Sequence, residues 1–113
     1  MIKEGRFQKF YRVGQLIGKG TLGEVRVCQL KAMGKREGER RQYLAVRMYD
    51  RKLLDDDDKL MRRFETETML LHKLSHTNIL RLHEIFEDND RYYVVTDLCL
   101  GGELFDTIEN HAA

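Results

Sequence analysis

Proline is absent from the 113 residues, and so are low-complexity segments. Because linkers between domains are often rich in proline or in a few repeated residue types, nothing in the sequence marks an internal domain boundary. The length suits one domain with a real but modest hydrophobic core. A surplus of charge is also missing, since 20 basic and 19 acidic residues leave a net charge of +1. The composition therefore gives no reason to expect nucleic acid or an anionic membrane as a partner.

Cysteine is scarce. The two cysteines, Cys28 and Cys99, are far apart in the sequence and form no pair with metal-ligand spacing, so we expect reduced thiols. The first residues contain no apolar segment typical of a signal peptide, and no stretch approaches the length of a membrane span. These absences predict a soluble cytoplasmic protein.

Two runs of charge interrupt the apolar segments. The basic run KREGERR, residues 35–41, follows Gly34 and is expected to be a solvated hairpin loop, with a phosphate-binding patch as the alternative. The acidic run DDDDK, residues 55–59, is expected to begin a helix, where negative charge is favourable against the helix dipole. A calcium or processing site is the alternative for the acidic run.

The periodicity of the apolar residues predicts the order of the secondary structure. A strand, a glycine-rich turn and a strand are expected over residues 11–30, a third strand over 43–49, and a helix from about Asp56 to Leu74. Two more strands, RLHEIFE and RYYVVTD, are joined by the hairpin turn Asp88-Asn89-Asp90, and a second helix begins at GGELFDTIENH. This order predicts an α+β fold, with a five-stranded antiparallel sheet and one packed helix.

The segment GKGTLGEV, residues 18–25, has the spacing G-x-G-x-x-G. Dinucleotide-binding folds share this spacing, but they need the glycines to open a helix. Here Val25 and Val27 alternate with polar or smaller residues, as in a strand. An ordinary hairpin with three glycines remains an alternative. The functional interpretation is a glycine-rich flap whose bare backbone lies close over phosphate groups.

The apolar segment YLAVRMYD, residues 43–50, contains one positive charge, Arg47. Strand alternation places Ala45 and Arg47 on one face and Leu44, Val46 and Met48 on the other. A charge on such an apolar strand requires a partner that neutralises it.

The predicted helix offers that partner. Its apolar stripe consists of Leu60, Phe64, Leu71 and Leu74. Glu67 completes the spacing of this stripe, whereas Glu65 lies off it and is expected to be solvated. Glu67 could instead lie at the edge of the stripe with its carboxylate in water. Arg47 favours the buried position, because each charge then explains the other.

These features together, followed by HTNIL, the strand pair and VTDLCLGGELFD, resemble the N-terminal lobe of a eukaryotic protein kinase. The final segment is most similar to the calcium/calmodulin-dependent and calcium-dependent serine/threonine kinases. The resemblance covers essentially the whole chain, so residues 1–113 are expected to form this lobe and its hinge. It implies ATP and Mg as cofactors, a protein substrate or partner, and neither nucleic acid nor membrane as a partner.

The resemblance also implies roles for individual residues. Arg47 and Glu67 would form the catalytic ion pair. Gly18, Gly20 and Gly23 would lie over the ATP phosphates, and Val25 and Ala45 would enclose adenine. Thr96 would be the gatekeeper, Asp97 to Cys99 the hinge, and Glu103 a contact to ribose or to a basic substrate residue. The full set expected at the nucleotide is Ile17, Gly18, Lys19, Gly20, Thr21, Leu22, Gly23, Glu24, Val25, Ala45, Arg47, Thr96, Asp97, Leu98, Cys99 and Glu103. Leu71 and Leu82 match the members of the regulatory spine in this lobe.

The sequence departs from the kinase pattern at Arg47, where the family has lysine. Lysine carries a compact charge that contacts the phosphates and the helix glutamate together. Arginine is longer and planar, so we expect it to hold the carboxylate well but to occupy space meant for phosphate. A milder departure is Leu22 at the tip of the flap, where a smaller or aromatic residue is usual. Lys19 could replace the missing lysine, but we expect it to face solvent.

The 113 residues contain neither an H-R-D catalytic loop nor a D-F-G metal-binding motif. We therefore expect them not to transfer phosphate by themselves. The alternative function is that of a non-catalytic, pseudokinase-like module that binds proteins. A fragment derived from a kinase would expose Leu71, Leu82 and the adenine pocket, an apolar surface of the kind that marks association sites.

Overall fold

A computed structural model describes residues 2–4, 6–31, 43–76 and 81–98. These residues form one six-stranded sheet with three helices. In chain order the elements are β1 (Ile2–Glu4), α1 (Phe7–Phe10), β2 (Tyr11–Lys19), β3 (Gly23–Leu30), β4 (Tyr43–Asp50), α2 (Arg51–Asp55), α3 (Asp58–His76), β5 (Leu82–Glu87) and β6 (Arg91–Asp97). The strand order across the sheet is β1-β5-β6-β4-β3-β2.

The predicted α+β fold is confirmed. Strands β2 to β6 form the expected five-stranded antiparallel sheet, and α3 is the packed helix. The structure adds β1, which pairs in parallel with β5 at the edge of the sheet, and two short helices, α1 and α2. A strand of three residues is too short to produce an alternation pattern, and its position depends on the edge that it pairs with. The second helix predicted near residue 101 lies outside the described residues.

The sheet has an apolar cluster on each face. The inner cluster, on the side of α3, consists of Leu22, Tyr49, Leu54, Phe64, Leu71, Ile85, Tyr92 and Val94. The outer cluster consists of Phe7, Tyr11, Cys28, Leu44, Val46, Met48, Phe86, Tyr93 and Val95. The alternation predicted for β4 is confirmed, because Leu44, Val46 and Met48 all belong to the outer cluster.

Aromatic rings organise the outer cluster around Phe7, which is 1% exposed. The Phe7 ring stacks on Tyr93 at a centroid distance of 4.4 Å and on Tyr11 at 5.2 Å. Phe86 meets the same ring edge-on at 5.8 Å. Cys28 lies in this cluster, and burial raises the pKa of its thiol to about 12. A thiol with so high a pKa stays protonated at neutral pH and is a poor nucleophile.

Acidic side chains fix two of the connections. Asp57 accepts hydrogen bonds from the backbone N–H groups of Lys59 and Leu60 at 2.9 and 3.3 Å, so the acidic run begins α3 as predicted. In the β5–β6 turn, Asp88 accepts from the N–H groups of Asp90 and Arg91, both at 2.8 Å. The basic run at 35–41 lies outside the described residues. Within the described residues, no helix is both long and apolar enough to cross a membrane.

Candidate functional site

The glycine-rich segment forms the turn between β2 and β3, and it folds as a flap rather than as a helix start. The N–H of Gly20 donates to the carbonyl oxygen of Gly23 at 2.8 Å, which closes the turn. A Cβ on Gly23 would lie 1.9 Å from the carbonyl oxygen of Met48, whereas a Cβ on Gly18 would meet nothing within 4 Å. Gly23 therefore brings the base of the flap against β4 more closely than any side chain allows.

Arg47 and Glu67 form a buried salt bridge between β4 and α3. The Nη1 atom of Arg47 contacts Oε1 of Glu67, and the two side chains are only 3% and 4% exposed. The alternative that the Glu67 carboxylate lies in water at the edge of the apolar stripe is therefore wrong, while Glu65 is exposed as predicted. Since an unpaired charge at this depth is strongly destabilising, each residue of the pair depends on the other.

A third side chain, Tyr49, joins this pair. Its hydroxyl group donates to Oε1 of Glu67, and Nη1 of Arg47 donates to the Tyr49 oxygen at 3.3 Å. The Tyr49 ring meets the Phe64 ring edge-on at a centroid distance of 4.8 Å. This role of Tyr49 is not predicted from the sequence. The available signal is its position two residues after Arg47, which places both side chains on the same face of β4.

The flap closes tightly over this network. Leu22, at the tip, is only 5% exposed and belongs to the inner cluster with Tyr49 and Phe64. The cavity between the flap and the ion pair has a volume of about 30 Å³ and is lined by residues that include Leu22, Arg47 and Glu67. In this conformation the flap lies close over the ion pair, and Leu22 packs on the inner cluster.

The residues expected around adenine are brought together on the inner face of the sheet. Val25, Ala45 and Thr96 are 5%, 0% and 1% exposed, and Ala45 lies directly opposite Thr96 in the β4–β6 ladder. Ile17, by contrast, is 44% exposed. Lys19 is exposed as predicted, and Thr21 is exposed too. Five other residues of the expected set are partly buried: Gly18, Gly23, Glu24, Asp97 and Leu98.

Hydrogen bonds tie the start of the expected hinge to β5. The N–H of Asp97 donates to the carbonyl oxygen of Arg81 at 2.9 Å, and the Asp97 side chain contacts Nε2 of His83 at 2.6 Å. The hydroxyl group of Thr96 donates to the Asp97 carbonyl oxygen at 3.1 Å. The positions of Cys99 and Glu103, also expected at the nucleotide, lie outside the described residues.

The apolar surface predicted to be exposed at Leu71, Leu82 and the adenine pocket is largely buried. Leu71 is 1% exposed within the inner cluster, and Leu82 is partly buried against it. The adenine-side residues Val25 and Ala45 are buried as well. The expectation that these side chains are exposed in this chain is therefore wrong, because the inner cluster between the sheet and α3 already encloses Leu71.

Comparison with known proteins agrees with this arrangement. Residues 11–113 match the protein kinase domain family, and the chain belongs to that family. It is 35% identical over 107 residues to calcium-dependent protein kinase 5 of Plasmodium berghei, covering 94% of this chain and 17% of that protein. It is 38% identical over 105 residues to calcium-dependent protein kinase 4 of Plasmodium falciparum, covering 90% of this chain and 18% of the relative.

A probable myosin light chain kinase of Dictyostelium discoideum is also similar, with 35% identity over 106 residues. That match covers 94% of this chain and 25% of the relative. The chain therefore spans a quarter or less of the length of these relatives. The predicted similarity to calcium-dependent and related serine/threonine kinases is confirmed.

Proposed function

We propose that residues 1–113 provide the ATP-binding lobe of a serine/threonine protein kinase, with Mg accompanying the nucleotide and a protein as the phosphate acceptor. In this proposal the flap residues 18–25 cover the phosphates, and Val25, Ala45 and Thr96 enclose adenine. Asp97 to Cys99 form the hinge beside the base. A cytoplasmic location is part of the same proposal, and no nucleic acid or membrane partner is invoked.

The buried Arg47–Glu67 salt bridge is the observation that carries the proposal. It links the strand next to the flap with the packed helix, at the position where the family uses a lysine–glutamate pair. Family membership makes ATP and Mg the expected cofactors. Arg47 satisfies the carboxylate, but its guanidinium group is larger than the ammonium group of the family's lysine and lines the cavity beneath the flap, where the phosphates would lie. We therefore expect the affinity for nucleotide to be weak.

The test is a titration of the isotopically labelled chain with Mg-ATP, followed by NMR. Weak binding is visible in this measurement because amide shifts move even when little of the complex forms. We expect shifts confined to flap residues 18–25 and hinge residues 96–98. Arg47→Lys should strengthen the response by making room for phosphate, whereas the matched variant Arg51→Lys, on the partly exposed helix α2, should not. Absence of any localised shift in all three proteins would contradict the proposal.

A melting experiment gives an independent measure of affinity. Ligand at 100 times its dissociation constant stabilises a protein by about 2.7 kcal/mol, and each kcal/mol raises the melting temperature of a small domain by roughly 4–8 °C. We expect almost no shift with millimolar Mg-ATP, and no autophosphorylation by the purified chain. A shift of several degrees, or phosphate transfer, would show that Arg47 and the closed flap do not impair binding.

The second candidate function is a non-catalytic module that acts by binding proteins. The arginine in place of lysine at position 47 favours it. This alternative predicts no localised amide shifts with Mg-ATP, for the original chain or for Arg47→Lys. The NMR titration therefore separates the two candidates.

A further inference from the structure

Glu67 receives two donors that come from the same strand. Oε1 of Glu67 is contacted by Nη1 of Arg47 and by the hydroxyl group of Tyr49, and the two donors are themselves joined at 3.3 Å. Arg47, Glu67 and Tyr49 are each only 3% exposed. The three side chains thus form a closed hydrogen-bonded triangle, away from water, between β4 and α3.

The Tyr49 hydroxyl group is held in place by packing on both sides of the contact. Its ring meets Phe64 at 4.8 Å with an interplanar angle of 75°. Phe64 precedes Glu67 by three residues on α3, so both lie on the helix face that touches the sheet. On the strand side, Tyr49 lies directly opposite Gly23 and Tyr92 in the two ladders of β4. A ring fixed in this way directs its hydroxyl group without further loss of side-chain freedom.

The two donors are not equivalent. A buried carboxylate left without any donor is costly, whereas one that keeps a hydrogen bond retains part of its compensation. An ionised carboxylate can accept several hydrogen bonds, so the contact with Tyr49 does not require that Arg47 leave. The tyrosine hydroxyl group therefore provides a second attachment of the helix glutamate that persists if the guanidinium group moves.

We propose that Tyr49 is a positioning residue that holds Glu67, and with it helix α3, against the sheet independently of Arg47. In a kinase lobe the two donors then have separate roles, because Tyr49 keeps the helix docked while Arg47 changes its contacts. The inference deepens the proposed function, and only the separate roles of the two donors in a kinase lobe rest on that function. The attachment of α3 by the Tyr49 hydroxyl group is a property of the chain without nucleotide.

Hydrogen exchange of the α3 backbone amides, measured on the 113-residue chain without nucleotide, tests the proposal. The variants are Tyr49→Phe, Arg47→Ala and the double variant. Tyr49→Phe keeps the ring on Phe64 and removes only the hydroxyl group. Because each donor supports the helix when the other is lost, the double variant should lose about tenfold more α3 protection than the product of the single effects.

Tyr92→Phe is the matched control. Tyr92 lies opposite Tyr49 in the inner cluster and its ring stacks on Phe64 at 5.0 Å, but its hydroxyl group donates to Asp55 of α2 at 3.0 Å. Removing this hydroxyl group should leave exchange in the turn around Glu67 unchanged. If Tyr49 acts by packing alone, Tyr49→Phe should leave α3 exchange unchanged even in the Arg47→Ala background.

A second background distinguishes action through the carboxylate from a general effect on folding. In Arg47→Ala/Glu67→Leu, the additional change Tyr49→Phe should alter α3 exchange less than about twofold, because both partners of the hydroxyl group are gone, whereas in Arg47→Ala it should speed α3 exchange by about tenfold. Equal effects of Tyr49→Phe in both backgrounds would overturn the proposal. So would unprotected α3 amides in the original chain, or an Arg47→Ala variant that does not fold, since Tyr49 would then be insufficient. None of these outcomes depends on nucleotide binding, which the Mg-ATP titration decides separately.

Discussion

Gly23 and Met48 approach each other so closely that a Cβ on Gly23 would lie 1.9 Å from the Met48 carbonyl oxygen. The obstacle is backbone, which cannot rotate away as the end of a side chain can. We expect Gly23→Ala to destabilise the chain by more than about 2 kcal/mol, because β3 must separate from β4. Urea unfolding measures the change.

Gly18→Ala is the control for this first prediction. It lies in the same flap, and its Cβ would meet nothing within 4 Å. Neither glycine has a left-handed backbone conformation, so the two substitutions differ in available space rather than in backbone strain. Gly18→Ala should change the free energy of unfolding by less than about 0.5 kcal/mol. Equal effects at the two positions would show that the flap adjusts freely.

Arg47→Ala leaves the Glu67 carboxylate buried with the Tyr49 hydroxyl group as a remaining donor. Breaking a fully buried pair costs about 3–5 kcal/mol, and the remaining hydrogen bond reduces that cost, so we expect roughly 2–4 kcal/mol. Arg47→Lys keeps the charge and most of the reach and should retain most of the stability. A double-mutant cycle with Glu67→Gln, measured by chemical denaturation, should give a coupling above about 0.5 kcal/mol. A cycle that closes near zero would refute the energetic pairing.

Leu22→Ala should loosen the flap. Leu22 lines both the small cavity over the ion pair and a larger surface groove of about 910 Å³, so it forms part of the wall between them. Truncating this leucine should cost about 2 kcal/mol, at the low end for buried leucines, and speed the exchange of the flap amides. Leu53→Ala, which lines the same groove but is 42% exposed, is the control and should be nearly neutral. Unchanged flap exchange in Leu22→Ala would show that the leucine does not hold the flap.

Tyr93 makes the chain sensitive to alkali. Burial, followed by its hydrogen bond to Asp88, raises the pKa of Tyr93 from 10.0 to about 12. Because the folded pKa is the higher one, this contribution to stability is complete below pH 10 and is lost as the pH rises from about 10 towards 12. Tyr93→Phe removes hydrogen bonds to Gln8 and Asp88, so it should be less stable at neutral pH. The difference in unfolding free energy between the two proteins should shrink above pH 10.

Tyr43→Phe controls for general effects of alkali, since the Tyr43 side chain is 60% exposed. Its stability should follow that of the unmodified chain at every pH. A constant difference between Tyr93→Phe and the unmodified chain from pH 8 to 11 would contradict the raised pKa. Thermal unfolding at a series of pH values is sufficient for this comparison.

Local patterns predict the strands and the long helix because burial on one face imposes a period on the sequence. Glu67 could be located from the stripe that it interrupts, and Arg47 from the apolar strand that contains it. The pairing of these two residues with each other follows from the requirement that a buried charge be compensated. Each of these inferences uses only the pattern within one strand or helix, together with the rule that buried charges are paired.

Tyr49 and Leu22 show where such reasoning ends. Their roles depend on contacts between elements, because Tyr49 of β4 reaches Glu67 of α3 and Leu22 of the flap packs into the inner cluster. The close approach of Gly23 to Met48 is another tertiary contact with no periodic signal in the sequence. The Phe7 side chain belongs to the same group, because a single aromatic residue before β2 does not reveal which face of the sheet it covers.

The position of Phe7 has a practical consequence for trimming the domain. The family match begins at residue 11, after Phe7, although Phe7 is 1% exposed and stacks between Tyr11 and Tyr93. A chain shortened to residues 11–113 would keep every residue of the family match. It would lose Phe7, however, and so expose the Tyr11 and Tyr93 rings on which Phe7 stacks. The segment that matches the family therefore begins after a residue that the folded domain needs, namely Phe7. We expect a protein that begins at residue 11 to be prone to self-association.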